Sequence, residues 1–456
     1  MAEKRPINAD LPPASEEDST GAEPSHASEI DHTGGGSKSE ARPPRRRRRS
    51  VPTALKAIAG LVVVAIVFLV AAVLGGGGSN SDTSAPAPAP TQAPPESAPE
   101  TAETPTVEAA EELGFPSFAT NNTTRIGGSD PAAIAAAVAL AVFPSSTPAQ
   151  RPAAVTIVEE DDWQGAVAAS VLMAEPVKAP LLVSSGGDQP EATSQALDAL
   201  APQGSGNTGG AQAFAIGEAA VPGELTTAKI EGDGPAALAA AIAAKRDELF
   251  GGPPRHFVLA PEAEPEIAIP AAAWAARSGD PVLFSSAEKL PAATIRALRE
   301  HPGVPVYVLG PSSAISSDAL REASRASGRV RRVSGEGPVE NAIALARYAG
   351  GSFGWNVNDP GHGFVIARSN AATSAAVSSP LSASGTWGPL LLTDDAGTLP
   401  AALRDYLLDV KPGYATDPTR AFYNHVWVIG DQEAIDVNQQ TEIDQLAELA
   451  KIGGGR

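Results

Sequence analysis

Glu159, Glu160, Asp161 and Asp162 follow one short apolar run of this 456-residue chain, and Asp394 and Asp395 follow another. Carboxylates at the carboxyl ends of parallel strands stand where α/β proteins form ligand crevices, and oxygen ligands of this kind suit Mg²⁺ or Ca²⁺. Glu262, Glu264 and Glu266 hold the corresponding place in a second segment. Read as local sequence, these are solvated acidic loops, and no metal site or cofactor is expected of them. The segment 127–131, Gly-Gly-Ser-Asp-Pro, leads into an Ala-rich helical pattern. Without a phosphate-loop lysine or a dinucleotide fingerprint it reads as turn and helix cap, not as an anion cradle.

His26, His32, His256, His301, His362 and His425 show no metal-ligand spacing, and the chain has no cysteine. Thiolate metal sites, disulfides and a cysteine nucleophile are therefore excluded. No catalytic constellation is recognised, so a non-catalytic protein is expected. Five tryptophans, Trp163, Trp274, Trp355, Trp387 and Trp427, could stack sugars, although core packing is the ordinary role of such rings. Trp355, between Gly354 and Asn356 in an insertion, is the best candidate among them for an exposed ring.

The elements that must position these residues recur. The segments 124–131, 228–235 and 331–338 share an Arg/Lys-Ile/Val strand, a glycine turn and a proline opening a helix; the prolines are Pro131, Pro235 and Pro338. Pro at a first helical turn is pre-organised for it. Apolar runs at 155–158, 257–259 and 364–366 come next, then stretches of small residues at 165–174, 267–276 and 374–383. Second runs begin at Pro180, Pro281 and Pro389, and third runs end at Gly217, Gly310 and Gly430. Short β-rich runs alternating with helices indicate parallel strands covered on both faces. Three α/β units are expected, at 120–225, 226–328 and 329–449. The third carries insertions at 350–363 and 411–420 as contact loops. The first Arg-Ile segment either opens its own unit or completes the sheet of the third.

The remaining sequence concerns topology. Residues 1–50 lack a hydrophobic period and end in five arginines, Arg45 to Arg49; they are expected to be a disordered cytoplasmic tail. Residues 51–74 form an apolar run long enough to cross a bilayer, read as an uncleaved signal anchor. The arginines on its amino side keep that end in the cytoplasm, so residues 75–456 are expected outside. A Pro/Gly-rich linker fills 75–119. The chain carries 33 Lys+Arg against 53 Asp+Glu, a net charge of −20, which argues against nucleic acid as a partner.

The ordered threefold recurrence over about 120–435 resembles the cell wall-binding repeat 2 family. That family's unit combines an Arg-Ile-x-Gly-x-x-Arg segment and helix, a strand, a Phe-x-Asp-Ala-Leu-rich helix, a Pro-Ile-Leu-Leu strand and an Ile-Gly-Gly strand end. The resemblance implies Rossmann- or Toprim-like modules with parallel sheets in a pseudo-threefold cluster. It also implies non-catalytic attachment to a cell-wall polymer, often an anionic one. The sequence departs from the pattern at Gly165, Ile267 and Ser374, where the family has Asp. It departs again at Pro131, Pro235 and Pro338, where the family has its second Arg. Trp163 stands at the aromatic position before the first small-residue helix. The ligand contacts expected are Trp163, Arg125, Arg332 and Trp355, with a wall glycopolymer or an envelope protein as partner.

Overall fold

Short runs of Val, Ile, Leu and Phe bounded by Pro and Gly form the strands, and the Ala-rich stretches between them form helices, as buried parallel sheets require. The computed structural model describes residues 119–452. In chain order the strands are β1 (Thr123–Ile126), β2 (Val155–Glu159), β3 (Leu181–Ser184), β4 (Ala213–Ile216) and β5 (Thr227–Ile230). There follow β6 (Phe257–Pro261), β7 (Val282–Ser285), β8 (Val306–Leu309) and β9 (Val330–Val333). The last are β10 (Gly363–Arg368), β11 (Leu390–Thr393), β12 (Gly413–Tyr414), β13 (His425–Ile429) and β14 (Ala450–Lys451).

Twelve of these strands make three four-stranded sheets, ordered β3-β2-β4-β5, β7-β6-β8-β9 and β11-β10-β13-β1. Every pairing in them is parallel. Each sheet therefore runs second run, first run, third run, Arg-Ile strand. The Arg-Ile strand joins the sheet that precedes it in sequence: β5 pairs with β4, and β9 with β8. The first copy has no preceding sheet, and β1 pairs with β13 in the register Thr123↔Val426 to Ile126↔Ile429. Of the two alternatives left by the sequence, the structure takes the one in which the first segment completes the last sheet.

The small-residue stretches become paired short helices: Trp163–Ala169 with the 3-10 turn Ser170–Met173, Pro265–Ala268 with Pro270–Ser278, and Ala372–Val377 with Ser379–Ala383. They pack against one another between the sheets. Ser379 Oγ donates to Ser170 Oγ at 2.9 Å with both side chains fully buried. Alanine lets these backbones approach, and a single apolar core runs through all three sheets. A smaller cluster under the helix Glu191–Leu200 covers the outer face of the first sheet. The expected caps are present: Asp130 Oδ1 accepts from Ala133 N at 2.9 Å, with Pro131 at the first helical position.

The tail 1–50, the anchor 51–74 and nearly all of the linker 75–119 lie outside the described residues. Among the described residues no helix is long and apolar enough to cross a membrane.

Candidate functional site

Arg125 and Arg332 occupy matching places on β1 and β9. Arg125 Nη1 donates to the carbonyls of Gly430 (2.9 Å) and Asp431 (2.7 Å), Nη2 to Ile435 (2.6 Å) and Nε to Gln440 Oε1 (2.9 Å). Arg332 donates to the carbonyls of Gly310, Pro311 and Ile315. Each guanidinium thus satisfies the turn after a third-run strand and the start of the helix that follows it, Val437–Ala447 or Ser317–Ser327. Arg125 is 1% exposed, and burial lowers the Arg332 pKa below the usual arginine value. The first sheet has no helix between β4 and β5, and there the position is Lys229, whose ammonium pairs with Glu231. The arginine accompanies the turn and helix that need it.

Trp163 is half-buried, its ring edge-on to Phe284 of β7 with centroids 5.9 Å apart. Beside it Gln164 Nε2 donates to the Glu262 carbonyl, so this corner joins the first helix pair to the second sheet. Trp355 departs from the sequence expectation. Its ring is only 5% exposed, not open to solvent. The cause is local: Gly354, at φ +99°, turns the chain so closely against Tyr348 that a Cβ would meet the Tyr348 backbone. Trp355 then packs edge-on to Trp274 (5.5 Å) and stacks with Trp387 (6.1 Å).

That aromatic group forms one wall of a cleft of about 530 Å³. Glu175, Arg246, Arg255, Trp274, Arg277, Asp280, Ser352, Trp355 and Trp387 line it. The Arg277 guanidinium lies 4.7 Å above the Trp387 ring. Arg277 and Arg255 are exposed, and neither forms an ion pair among the described residues. Arg246 is buried and held by Asp247 Oδ1 at 2.7 Å, by two backbone carbonyls and over the Phe250 ring. A chain with net charge −20 thus gathers three arginines and three tryptophan rings around one opening.

A polar chain leads into the same cleft. Asp280 Oδ2 accepts from His256 Nδ1 at 2.9 Å and from Trp274 Nε1 at 3.0 Å, and Oδ1 accepts from the His256 amide at 3.0 Å. His256 Nε2 lies 3.2 Å from Ser352 Oγ. His256 and Asp280 are buried, whereas Ser352 is exposed. The insertion carrying Ser352 is pinned by Phe353, which stacks on Tyr307 at 3.7 Å and lies under His256 and Trp274.

The acidic residues gather elsewhere. Glu159, Asp161, Asp162, Glu218, Glu231 and Asp233 line an open cleft of about 790 Å³ at the carboxyl end of the first sheet. Glu159 accepts from Ser184 Oγ (2.6 Å) and Gly187 N (3.2 Å), and Asp162 caps a helix through Gly165 N (2.7 Å). Burial raises the Asp162 pKa against the lowering effect of that cap bond. Asp395 is held below the usual range by the amides of Gly397 and Thr398. Among the described residues no three His, Asp or Glu side chains converge as a metal site would require.

Sequence reasoning passed over Arg255, Arg277, His256, Asp280 and Ser352, which lie far apart along the chain. One signal was present: Gly350-Gly351-Ser352-Phe353-Gly354 has Gly-x-Ser-x-Gly spacing.

No family model and no curated protein matches the chain. Among solved structures it is similar to Cwp8 from Clostridium difficile, with TM-score 0.55 and 17% identity over 72% of this chain and 52% of that one. It is also similar to Cwp6 from Clostridium difficile, with TM-score 0.55 and 17% identity over 72% of this chain and 47% of that one. The chain spans about half the length of each, and the likeness is one of fold.

Proposed function

We propose that this is a cell-envelope protein whose exported domain, three copies of one α/β unit in a pseudo-threefold cluster, binds an anionic wall glycopolymer. The likeness in fold to Cwp8 and Cwp6 from Clostridium difficile supports an envelope role. A single amino-terminal anchor at 51–74 holds it, with 1–50 in the cytoplasm and 75–456 outside, as the arginine run and apolar segment suggest.

The observation that carries the binding proposal is Arg277 over Trp387, with Arg255 in the same cleft lining and in no ion pair among the described residues, in a chain that is otherwise strongly acidic. Guanidinium groups suit carboxylate or phosphate, the packed indoles give the cleft a rigid wall, and a local cationic cleft offsets the field of an acidic surface. The test is sedimentation of the exported domain with purified wall. Wild type is expected in the pellet, and Arg277→Ala is expected to shift a large share to the supernatant.

A second reading has its own observation. Phe422 and Tyr423, in the loop between the 411–420 insertion and β13, are 69% and 54% exposed. Such rings suit an envelope protein partner, with the domain acting as a scaffold. Retention of wall binding by a Phe422→Ser/Tyr423→Ser variant, with loss of a co-purifying protein, would assign that loop to the partner.

A further inference from the structure

We propose that Ser352, His256 and Asp280 form a nucleophilic triad opening on the arginine–tryptophan cleft, and that the protein cleaves carboxylic esters carried by the carbohydrate bound there. The carbohydrate part of this assignment rests on the binding proposal above; the nucleophile does not.

The three side chains stand in the order and at the spacing that activation of a serine needs. Asp280 accepts from His256 Nδ1, which leaves the Nε2 lone pair facing Ser352 Oγ at 3.2 Å. Asp280 is immobilised by two further donors, the His256 amide and Trp274 Nε1, so the imidazole has one orientation. Both orienting groups are removed from water, His256 at 5% and Asp280 at 2% exposure, while the hydroxyl they serve is exposed. A serine serving only to anchor its loop has no need to face the opening.

The backbone around Ser352 is built to hold it there. Gly350 and Phe353 exchange both backbone hydrogen bonds, at 2.9 and 3.3 Å, around a two-residue turn. Gly351 takes φ +73° at the first central position, the conformation that glycine adopts at no steric cost. Ser352 follows at the tip, and buried Phe353 fixes the base. The setting differs from a strand–turn–helix elbow, because the turn lies in an insertion after the helix Pro338–Arg347. The amides of Ser352 and Gly354 donate to no acceptor among the described residues.

The chemistry balances with water alone. Ser352 Oγ bonds to the ester carbonyl carbon as its proton passes to His256 Nε2. The carbon–oxygen bond to the sugar then breaks, and the sugar oxygen takes that proton from the imidazolium. Water, deprotonated by the same nitrogen, attacks the acyl-serine, releasing a carboxylic acid and restoring the serine hydroxyl.

The experiment treats the full chain with a fluorophosphonate probe, and measures hydrolysis of p-nitrophenyl acetate and release of carboxylic acid from purified wall. Ser352 is expected to carry the phosphonyl group, identified by peptide mass. Ser352→Ala is expected to lower p-nitrophenyl acetate turnover at least about 100-fold. This exposed side chain can be removed without disturbing the core, and His256→Gln provides a second loss with the circular dichroism spectrum retained. If wild type takes no label and hydrolyses the ester no faster than Ser352→Ala, the proposal is overturned and the triad only anchors its loop. Labelling and turnover without acid release from wall that the protein sediments with would overturn the carbohydrate-ester assignment while leaving wall binding intact.

Discussion

Arg125 Nη2 donates to the Ile435 carbonyl oxygen at 2.6 Å although 310 residues separate the two in sequence. The bond belongs to a set of four by which a side chain on β1 secures the turn after β13 and the helix beyond it. The beginning and the end of the described fold are tied through one buried cation. Arg332 shows the same arrangement within a span of 22 residues or fewer. The recurring arginine is thus explained by the acceptors of one turn, whatever else it touches.

Arg125→Ala leaves three carbonyls and Gln440 Oε1 without their donor in a site closed to water. Loss of stability on the order of 3–5 kcal/mol is expected, measured by urea unfolding. Arg332→Ala removes a half-exposed group and should cost less, since water reaches its acceptors. Equal costs would show that burial does not set the difference.

Gly232 and Gly335 follow β5 and β9 at matching places, and a Cβ on either would strike backbone of the helix that follows: Ala237 and Leu238, or Glu340 and Asn341. Backbone cannot swing aside as a side chain can. Gly232→Ala and Gly335→Ala are each expected to destabilise by about 2 kcal/mol, whereas Gly223→Ala, with open space around its Cβ, should be near neutral.

Burial lowers the pKa of His425, against an opposing influence of Asp444. The folded state therefore prefers the neutral ring, which lies edge-on to Trp427 at 5.0 Å. A group whose folded pKa is depressed adds stability above its unfolded pKa, near 6.5, and loses it as pH falls through the folded value. The melting temperature should fall on acidification from pH 7.5 to 5, and His425→Gln should flatten that part of the curve.

Asp162 has the opposite sign for an acid: burial raises its pKa, so its charge is a cost at neutral pH. Asp162→Asn keeps an acceptor for the Gly165 amide and removes a charge near Glu159. A small rise in melting temperature is expected at pH 7, shrinking as pH falls toward 4.

Much of the architecture can be read in the order of apolar runs. Proline, glycine and β-branched residues mark the strands at 155–158, 257–259 and 364–366, and alanine marks the helices that pack between sheets. Strand partners are another matter. Nothing local to Thr123–Ile126 says whether it pairs forward or closes on β13, because a four-residue parallel strand carries no register signal of its own. The site was harder still. Trp355 looks exposed beside Gly354 and Asn356, yet the turn at Gly354 folds it onto Trp274 and Trp387. His256, Asp280 and Ser352 come from two strand entrances and an insertion: the β6–β7 pairing sets His256 beside Asp280, and packing of Phe353 on Tyr307 brings Ser352 to them.

The cleft's charge is the centre of the functional account, and reversing it is the direct test. Arg255→Glu/Arg277→Glu changes two exposed side chains, so the fold should survive. Sedimentation of this variant and of wild type is measured with purified wall before and after its phosphate- and carboxylate-bearing polymers are stripped. Wild type should pellet with intact wall and remain soluble with stripped wall, and the double variant should remain soluble with both, a loss of affinity of about 100-fold or more. Equal pelleting of variant and wild type, or pelleting of wild type with stripped wall, would contradict the account.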